Sequence, residues 1–96
     1  MLVYKLVNTM NGKIYIGKST CKTVKERWNR HIRAARRGTG FHLHRAISKY
    51  GPEAFKVEVL ETAITSKAEL SVREKYFIAL FLSFILSYII PILTIA

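Results

Sequence analysis

Residues 2–17 run LVYKLVNTMNGKIYIG, and their reading decides the fold. Residues 2–8 and 13–17 are dense in β-branched and aromatic side chains, which suit a pleated surface. Between them Asn11-Gly12 is a turn pair that tolerates positive φ. The stretch therefore predicts a β-hairpin whose loop is somewhat longer than two residues.

Beyond the hairpin the period changes. Ser19 and Thr20 begin a polar connection, and from Thr23 the apolar residues Val24, Trp28, Ile32 and Ala35 recur at spacings of three and four. That is one stripe of a helix. Thr23 followed by Glu26 has capping-box spacing and marks its start. Gly38 and Gly40 mark its end, behind Arg36 and Arg37, whose charges suit the negative end of the helix dipole. A second helix is expected over His42–Tyr50, with Leu43, Ala46, Ile47 and Tyr50 inward and Gly51-Pro52 as the stop. Residues 55–61, FKVEVLE, alternate apolar and charged, the period of a half-buried strand. A last helix starts near Ser66, again with a glutamate (Glu69) three residues on, and continues at least to Leu80. The order β-β-α-α-β-α predicts an α+β domain: a small, mainly antiparallel three-stranded sheet flanked by helices.

A chain of 96 residues supports one core. Its net charge of +10 is unevenly spread: all 16 basic and 6 acidic side chains precede residue 76, and the acids are all glutamate. This balance favours a polyanionic partner, since each neutralised phosphate releases condensed counterions. One cysteine, Cys21, excludes an intramolecular disulfide and a thiolate zinc site, and fits an intracellular setting. Met1–Val7 is too short an apolar run for a secretory signal.

Several side chains can be gathered into one chemistry. Tyr4 and Tyr15 lie on paired strands, Arg27 and His31 share a helix face at i and i+4, and Glu74 lies on the last helix. A carboxylate can hold a hard cation, an arginine can stabilise charge on phosphoryl oxygens, and a tyrosine or histidine can handle the proton of an attacking water. Each also has an ordinary reading: strand tyrosines pack, basic helices are solvated, and Glu74 between Arg73 and Lys75 suits a surface ion pair. The residues alone reach a basic α+β domain that binds nucleic acid.

Five motifs in order narrow this. Leu2-Val3-Tyr4 is a degenerate Gly-Ile-Tyr, Tyr15-Ile16-Gly17 is intact, and Glu26-Arg27-Trp28-Asn29-Arg30-His31 spaces arginine and histidine by four. Ser48-Lys49-Tyr50-Gly51 leads through Phe55 into Val57–Glu61, and Arg73-Glu74-Lys75-Tyr76-Phe77-Ile78 follows. In these residues the chain resembles the GIY-YIG nuclease domain, with a pattern similar to phage homing endonucleases, over residues 2 to 80. The resemblance implies a DNA endonuclease in which Glu74 binds one Mg²⁺ or Mn²⁺. Tyr4 and Tyr15 would line the site, one of them orienting or deprotonating water. Arg27 would stabilise the pentavalent phosphate, and His31 would assist the proton transfer or touch phosphate. Gly17 would let the turn after the strand pass close to substrate. Lys18, Arg30 and Arg33 would grip DNA phosphates without reading bases. His42 and His44 are read as exposed or DNA-facing.

The tail departs from the family. Where the family has Gly-Tyr-Asn, this chain has Ser87-Tyr88-Ile89, and residues 76–96 carry no charge. The sequence divides into a nuclease-like domain at 1–80 and an apolar tail at 81–96. Three readings of the tail stay open: the end of the last helix and core, a degenerate end of a mobile-element nuclease, or a membrane segment. The resemblance also implies a separate DNA-recognition domain or protein as partner. A catalytically decayed DNA-binding module of the same fold is the alternative function.

Overall fold

The hairpin becomes the centre of a sheet. In the computed structural model, which describes residues 1–39, 41–88 and 93–95 (83–88 and 93–95 by backbone alone), β1 spans Leu2–Asn8 and β2 Ile14–Ser19. They pair antiparallel with Tyr4 opposite Gly17 and Leu6 opposite Tyr15. The loop closes through Asn8: its amide donates to the Lys13 carbonyl at 2.9 Å, and its own carbonyl accepts from Gly12 at 2.7 Å. Gly12 has φ +74°, the conformation that the Asn-Gly signal anticipated.

Helix α1, Val24–Arg36, starts where the capping spacing placed it, with Thr23 Oγ1 accepting from the Glu26 amide at 3.2 Å. Only half of the expected box forms, because the Glu26 carboxylate pairs with Arg30 instead. Gly38 lies just past the helix with φ +76°, and Gly40 lies outside the described residues. Helix α2, His42–Tyr50, ends on Gly51 at φ +85°, and a single 3₁₀ turn at Pro52–Ala54 leads into β3, Phe55–Glu61. Ser66 Oγ caps the last helix by accepting from the Glu69 amide at 3.1 Å. That helix, α3, runs Lys67–Tyr88, beyond its expected minimum at Leu80.

β3 pairs antiparallel with β1 on the side away from β2, so the three antiparallel strands predicted are present in the order β3-β1-β2. A short fourth strand unforeseen from the sequence, β4 at Leu93–Ile95, adds to β2 in parallel. Part of the 81–96 stretch is therefore helix and part is strand. Among the described residues no helix is long and apolar enough to cross a membrane.

Both faces of β1 are covered, which explains its nearly continuous apolar run. On one face Leu2, Tyr4 and Leu6 pack with Tyr15, Phe55, and the Ala35, Leu43 and Ile47 side chains of α1 and α2. On the other, Val3 and Ile16 pack with Ile64 and with Leu70, Phe77, Ile78 and Phe81 of α3. The Trp28 and Phe55 rings, 5.5 Å apart and tilted, lock α1 onto β3.

Candidate active site

The site forms where the open end of the hairpin meets α1 and α3. Tyr4 points to the α1 face of the sheet and is 1 % exposed. Its hydroxyl lies 2.8 Å from His31 Nε2, and Arg27 Nε donates to it at 3.4 Å. Arg27 and His31 reach the same phenol because residues four apart share a helix face. His31 is buried with Ala34 and Ala35 on the inner side of α1.

Glu74 comes from the opposite side of the sheet. Leu70, Phe77 and Ile78 bind α3 to the sheet, and Glu74 falls four residues after the first and three before the second, on that same inward stripe. It is consequently 9 % exposed. Lys18 on β2 crosses to it, with Nζ 3.9 Å from Glu74 Oε1 and 3.0 Å from Ser71 Oγ. The Glu74 charge reaches Tyr4, where it opposes loss of the phenolic proton.

Burial dominates the electrostatics. It pushes the Tyr4 pKa up, against Arg27, which favours the phenolate. It raises the Glu74 carboxyl against the attraction of Lys18 and Lys75. Burial, then Arg27, then His44, lower His31 from 6.5 to about 4, so at neutral pH its imidazole is uncharged and free to accept a proton. A nearly buried carboxylate and a buried imidazole with shifted pKa values, each on the core-facing stripe of its helix, mark a candidate functional site.

Two clefts flank Arg27 and Arg30. One, of about 290 Å³, is lined by Lys18, Thr20, Cys21, Lys67 and Ser71 besides the two arginines. The other, of about 300 Å³, adds His31, Arg33, Arg37 and His44. The two clefts share Arg27 and Arg30, and both are strongly basic and open to water.

Comparison with known proteins shows the family and the fold. The model of the GIY-YIG catalytic domain matches residues 1–85. The chain belongs to the GIY-YIG family. It is 35 % identical over 77 residues to the uncharacterized protein 019R of Invertebrate iridescent virus 6, covering 79 % of this chain and 27 % of that protein. It is 32 % identical over 66 residues to the putative endonuclease segD of Enterobacteria phage T4, covering 69 % of this chain and 26 % of the relative. The chain thus spans about a quarter of the length of these curated relatives. Among solved structures it is similar to the catalytic domain of the homing endonuclease I-TevI, with TM-score 0.65 and 28 % identity over 80 % of this chain and 83 % of that one. A mutant of the same catalytic domain superimposes with TM-score 0.67, also at 28 % identity, over 80 % of this chain and 78 % of that one.

In this GIY-YIG domain the structure brings Tyr4, Arg27 and His31 into contact, with Glu74 and Lys18 beside them. Tyr15 is not in that contact set. It lies on the same sheet face but one pleat toward the hairpin turn, its ring near His42 and Phe55. Its hydroxyl is buried without a partner among the described residues, and burial, followed by the nearby Tyr50, raises its pKa. Gly17 sits inside β2 rather than in a turn after it, and it is buried. Directly opposite Tyr4, it leaves the α1 face open beside the phenol, where any other side chain would stand. Arg30 and Arg33 are exposed on α1, and Lys18 projects from β2 into the first cleft.

Glu74 also passes a chemical test as a cation ligand. Among the described residues no three His, Cys, Asp or Glu side chains cluster, so an all-protein cage is excluded there. A lone, nearly buried carboxylate suits a hard divalent cation that fills the rest of its shell with water and substrate oxygens.

His44, expected to be exposed or DNA-facing, is half-buried and lines the second cleft. Its Nε2 lies 3.0 Å from His31 Nδ1, and its Nδ1 is hydrogen-bonded to Thr39 Oγ1. No local spacing links residues 31 and 44; the contact exists because the connection after Gly38 folds α2 back along α1. His42 stays exposed, against Lys13. The Ser87-Tyr88-Ile89 departure lies outside the residues whose side chains are described.

Proposed function

We propose that this chain is the catalytic module of a divalent-metal-dependent DNA endonuclease that hydrolyses phosphodiester bonds. The observation that carries the reading is the Tyr4–His31–Arg27 contact set, whose Arg27 and His31 line basic clefts, with Glu74 held near Lys18 of the first cleft. Glu74 would hold one Mg²⁺ or Mn²⁺ ion, whose contribution when bound is Lewis-acid stabilisation of phosphate charge.

The protein's own groups account for the proton transfer. Tyr4 donates its hydroxyl hydrogen to neutral His31 Nε2 and takes a proton from the attacking water. The water oxygen bonds to phosphorus, one ester P–O bond breaks, and the leaving oxygen takes its proton from solvent water in the open cleft. In the resting site both pKa shifts oppose this transfer, since Tyr4 is raised and His31 lowered. Part of the His31 shift comes from the Arg27 charge. A phosphate seated on Arg27 screens that charge, so substrate makes His31 a better base when it is needed. Arg27 in turn meets the charge that grows on the phosphoryl oxygens. Tyr15 supports the site from the adjacent pleat, and Lys18, Arg30 and Arg33 hold the flanking phosphates.

The matched region makes up about a quarter of each curated relative, and sequence choice would fall to a separate recognition domain or protein. The basic side chains assigned here would hold phosphates, contacts that position DNA without specifying its sequence.

The test is cleavage of supercoiled plasmid by the full chain, with Mg²⁺, with Mn²⁺ and with EDTA, beside Glu74→Ala. Metal-dependent nicking that disappears in the variant is expected. DNA binding without cutting would instead make the chain a decayed member of the family, and cutting by Glu74→Ala would remove the metal assignment.

A further inference from the structure

The hydrogen bonds of the site continue past His31, and their direction is fixed from one end. A guanidinium can only donate, so Tyr4 Oη accepts from Arg27 Nε. The buried phenol must then place its own hydrogen, and the partner in reach is His31 Nε2 at 2.8 Å. His31 therefore carries its hydrogen on Nδ1 and donates to His44 Nε2 at 3.0 Å. His44 is left with its hydrogen on Nδ1, directed at Thr39 Oγ1. Every link donates the same way: Arg27 to Tyr4, Tyr4 to His31, His31 to His44, His44 to Thr39.

We propose that His44 is a positioning residue for the hydrolysis: it holds His31 in the Nδ1–H tautomer and passes the proton received there toward Thr39 and solvent. This rests on the assignment of Tyr4 and His31 above. When His31 Nε2 gains a proton from Tyr4, its Nδ1 proton moves to His44 Nε2. The His44 Nδ1 proton leaves through Thr39, so each imidazole ends neutral with its hydrogen on Nε2; exchange with solvent through half-buried His44 returns both to the resting Nδ1–H form before the next turnover. His44 is built for the role. It is half-buried, so it touches both His31 and water, and the Phe41 ring stands edge-on to it at 5.5 Å between centroids. The titratable and charged groups facing the two rings are Tyr4 from β1 and Arg27 and Arg37 from α1 and its end. All are donors or cations in the resting state, so none competes with His44 as acceptor for the His31 Nδ1 hydrogen.

Glutamine at position 44 can still accept that hydrogen through its amide oxygen, whereas leucine keeps the bulk and cannot. Long-range ¹⁵N–¹H spectra of the full chain at pH 7 read the tautomer directly. Wild type and His44→Gln are expected to show His31 as Nδ1–H alone, and His44→Leu as a mixture containing Nε2–H. Plasmid cleavage should fall on the order of tenfold to a hundredfold in His44→Leu, as for loss of the outer partner of a functional histidine. His44→Gln should restore most of the rate, and added imidazole should raise the rate of His44→Ala. If His44→Leu does not fold, Thr39→Val tests the same chain from its far end, with the His44 tautomer expected to become mixed. A wild-type His31 protonated on Nε2, or an unchanged tautomer and rate in His44→Leu, would overturn the proposal. The spectra report the relay even if the wild-type chain does not cut, so failure of the relay and failure of the nuclease reading are separable.

Discussion

Replacing His31 with asparagine should flatten the acid side of the stability profile. Burial, Arg27 and His44 lower the folded imidazole from 6.5 to about 4. On unfolding, the ring regains its ordinary value. Between pH 6.5 and 4 the unfolded chain therefore binds a proton that the folded chain does not, and stability falls as the pH falls through that window. The full contribution is present above pH 6.5. At roughly 1.4 kcal/mol per pKa unit the whole interval is about 3 kcal/mol, of which roughly 2 kcal/mol is lost by pH 5. For a small domain that is a large share of the total.

Urea denaturation of wild type and His31→Asn at several values between pH 7 and 4.5 measures this. The variant should be less stable at pH 7, having lost buried hydrogen bonds, so the comparison is between slopes. His44 is lowered by burial, Arg27 and Arg37, and contributes in the same direction in both proteins. Glu74 is raised, contributes in the opposite direction, and is likewise common to both. The two curves should converge by roughly 2 kcal/mol from pH 7 to 5. Parallel curves, or a His31 resonance titrating near 6.5, would refute the account of a buried neutral acceptor.

Glu74→Gln should abolish metal-dependent cleavage without lowering the melting temperature at neutral pH. Burial raises this carboxyl, so the stability linked to its protonated form is present below 4.5 and lost as pH rises through the folded value. A clear drop in melting temperature would mean that the carboxylate is structural. Arg27→Ala should reduce kcat by about 10²–10³-fold, the usual cost of one aligned charge-stabilising donor, and Arg27→Lys should recover little, which single-turnover cleavage resolves. Lys18→Ala, Arg30→Ala and Arg33→Ala should each make the log–log salt dependence of DNA binding shallower by roughly 0.9, with an unchanged slope removing that residue from the grip.

The elements were legible because each declared itself locally. The bounds of α2 and β3 follow from Gly51-Pro52 and from an unbroken alternation, and Thr23 and Ser66 cap the helices that their spacing marked. β2 ran two residues past its expected end because Lys18 and Ser19, though polar, pair with Val3 and Leu2. β4 left no usable signal: three residues, Leu93–Ile95, whose only cue is apolarity. Within the site, Arg27 and His31 were visible as an i, i+4 pair. Glu74 was visible only through the family motif, because its neighbours Arg73 and Lys75 make it look like a surface residue. Its place on the Leu70–Phe77 stripe became evident only with α3 packed on the sheet. His44 and Tyr15 show the converse limit: identity and strand position do not tell which group a ring will meet across a fold.

The way the site is assembled also explains why so small a domain covers both faces of its sheet. Tyr4 and Val3 are consecutive, so their side chains leave β1 on opposite sides. Tyr4 meets α1, which brings Arg27 and His31; Val3 meets the face that α3 covers, from which Glu74 comes. On the α3 side the exposed Lys18 of β2 reaches Glu74, its Nζ 3.9 Å from Oε1. The four groups therefore depend on two separate apolar clusters, and loosening either one moves half the site relative to the other. Shaving Ile16, whose side chain belongs to the α3 cluster and lies on the sheet face away from Tyr4, is the informative case. Ile16→Ala should cost about 2–5 kcal/mol and lower kcat at temperatures where the domain is still folded. Full activity from such a folded variant would mean that Glu74 does not need its packed position to act.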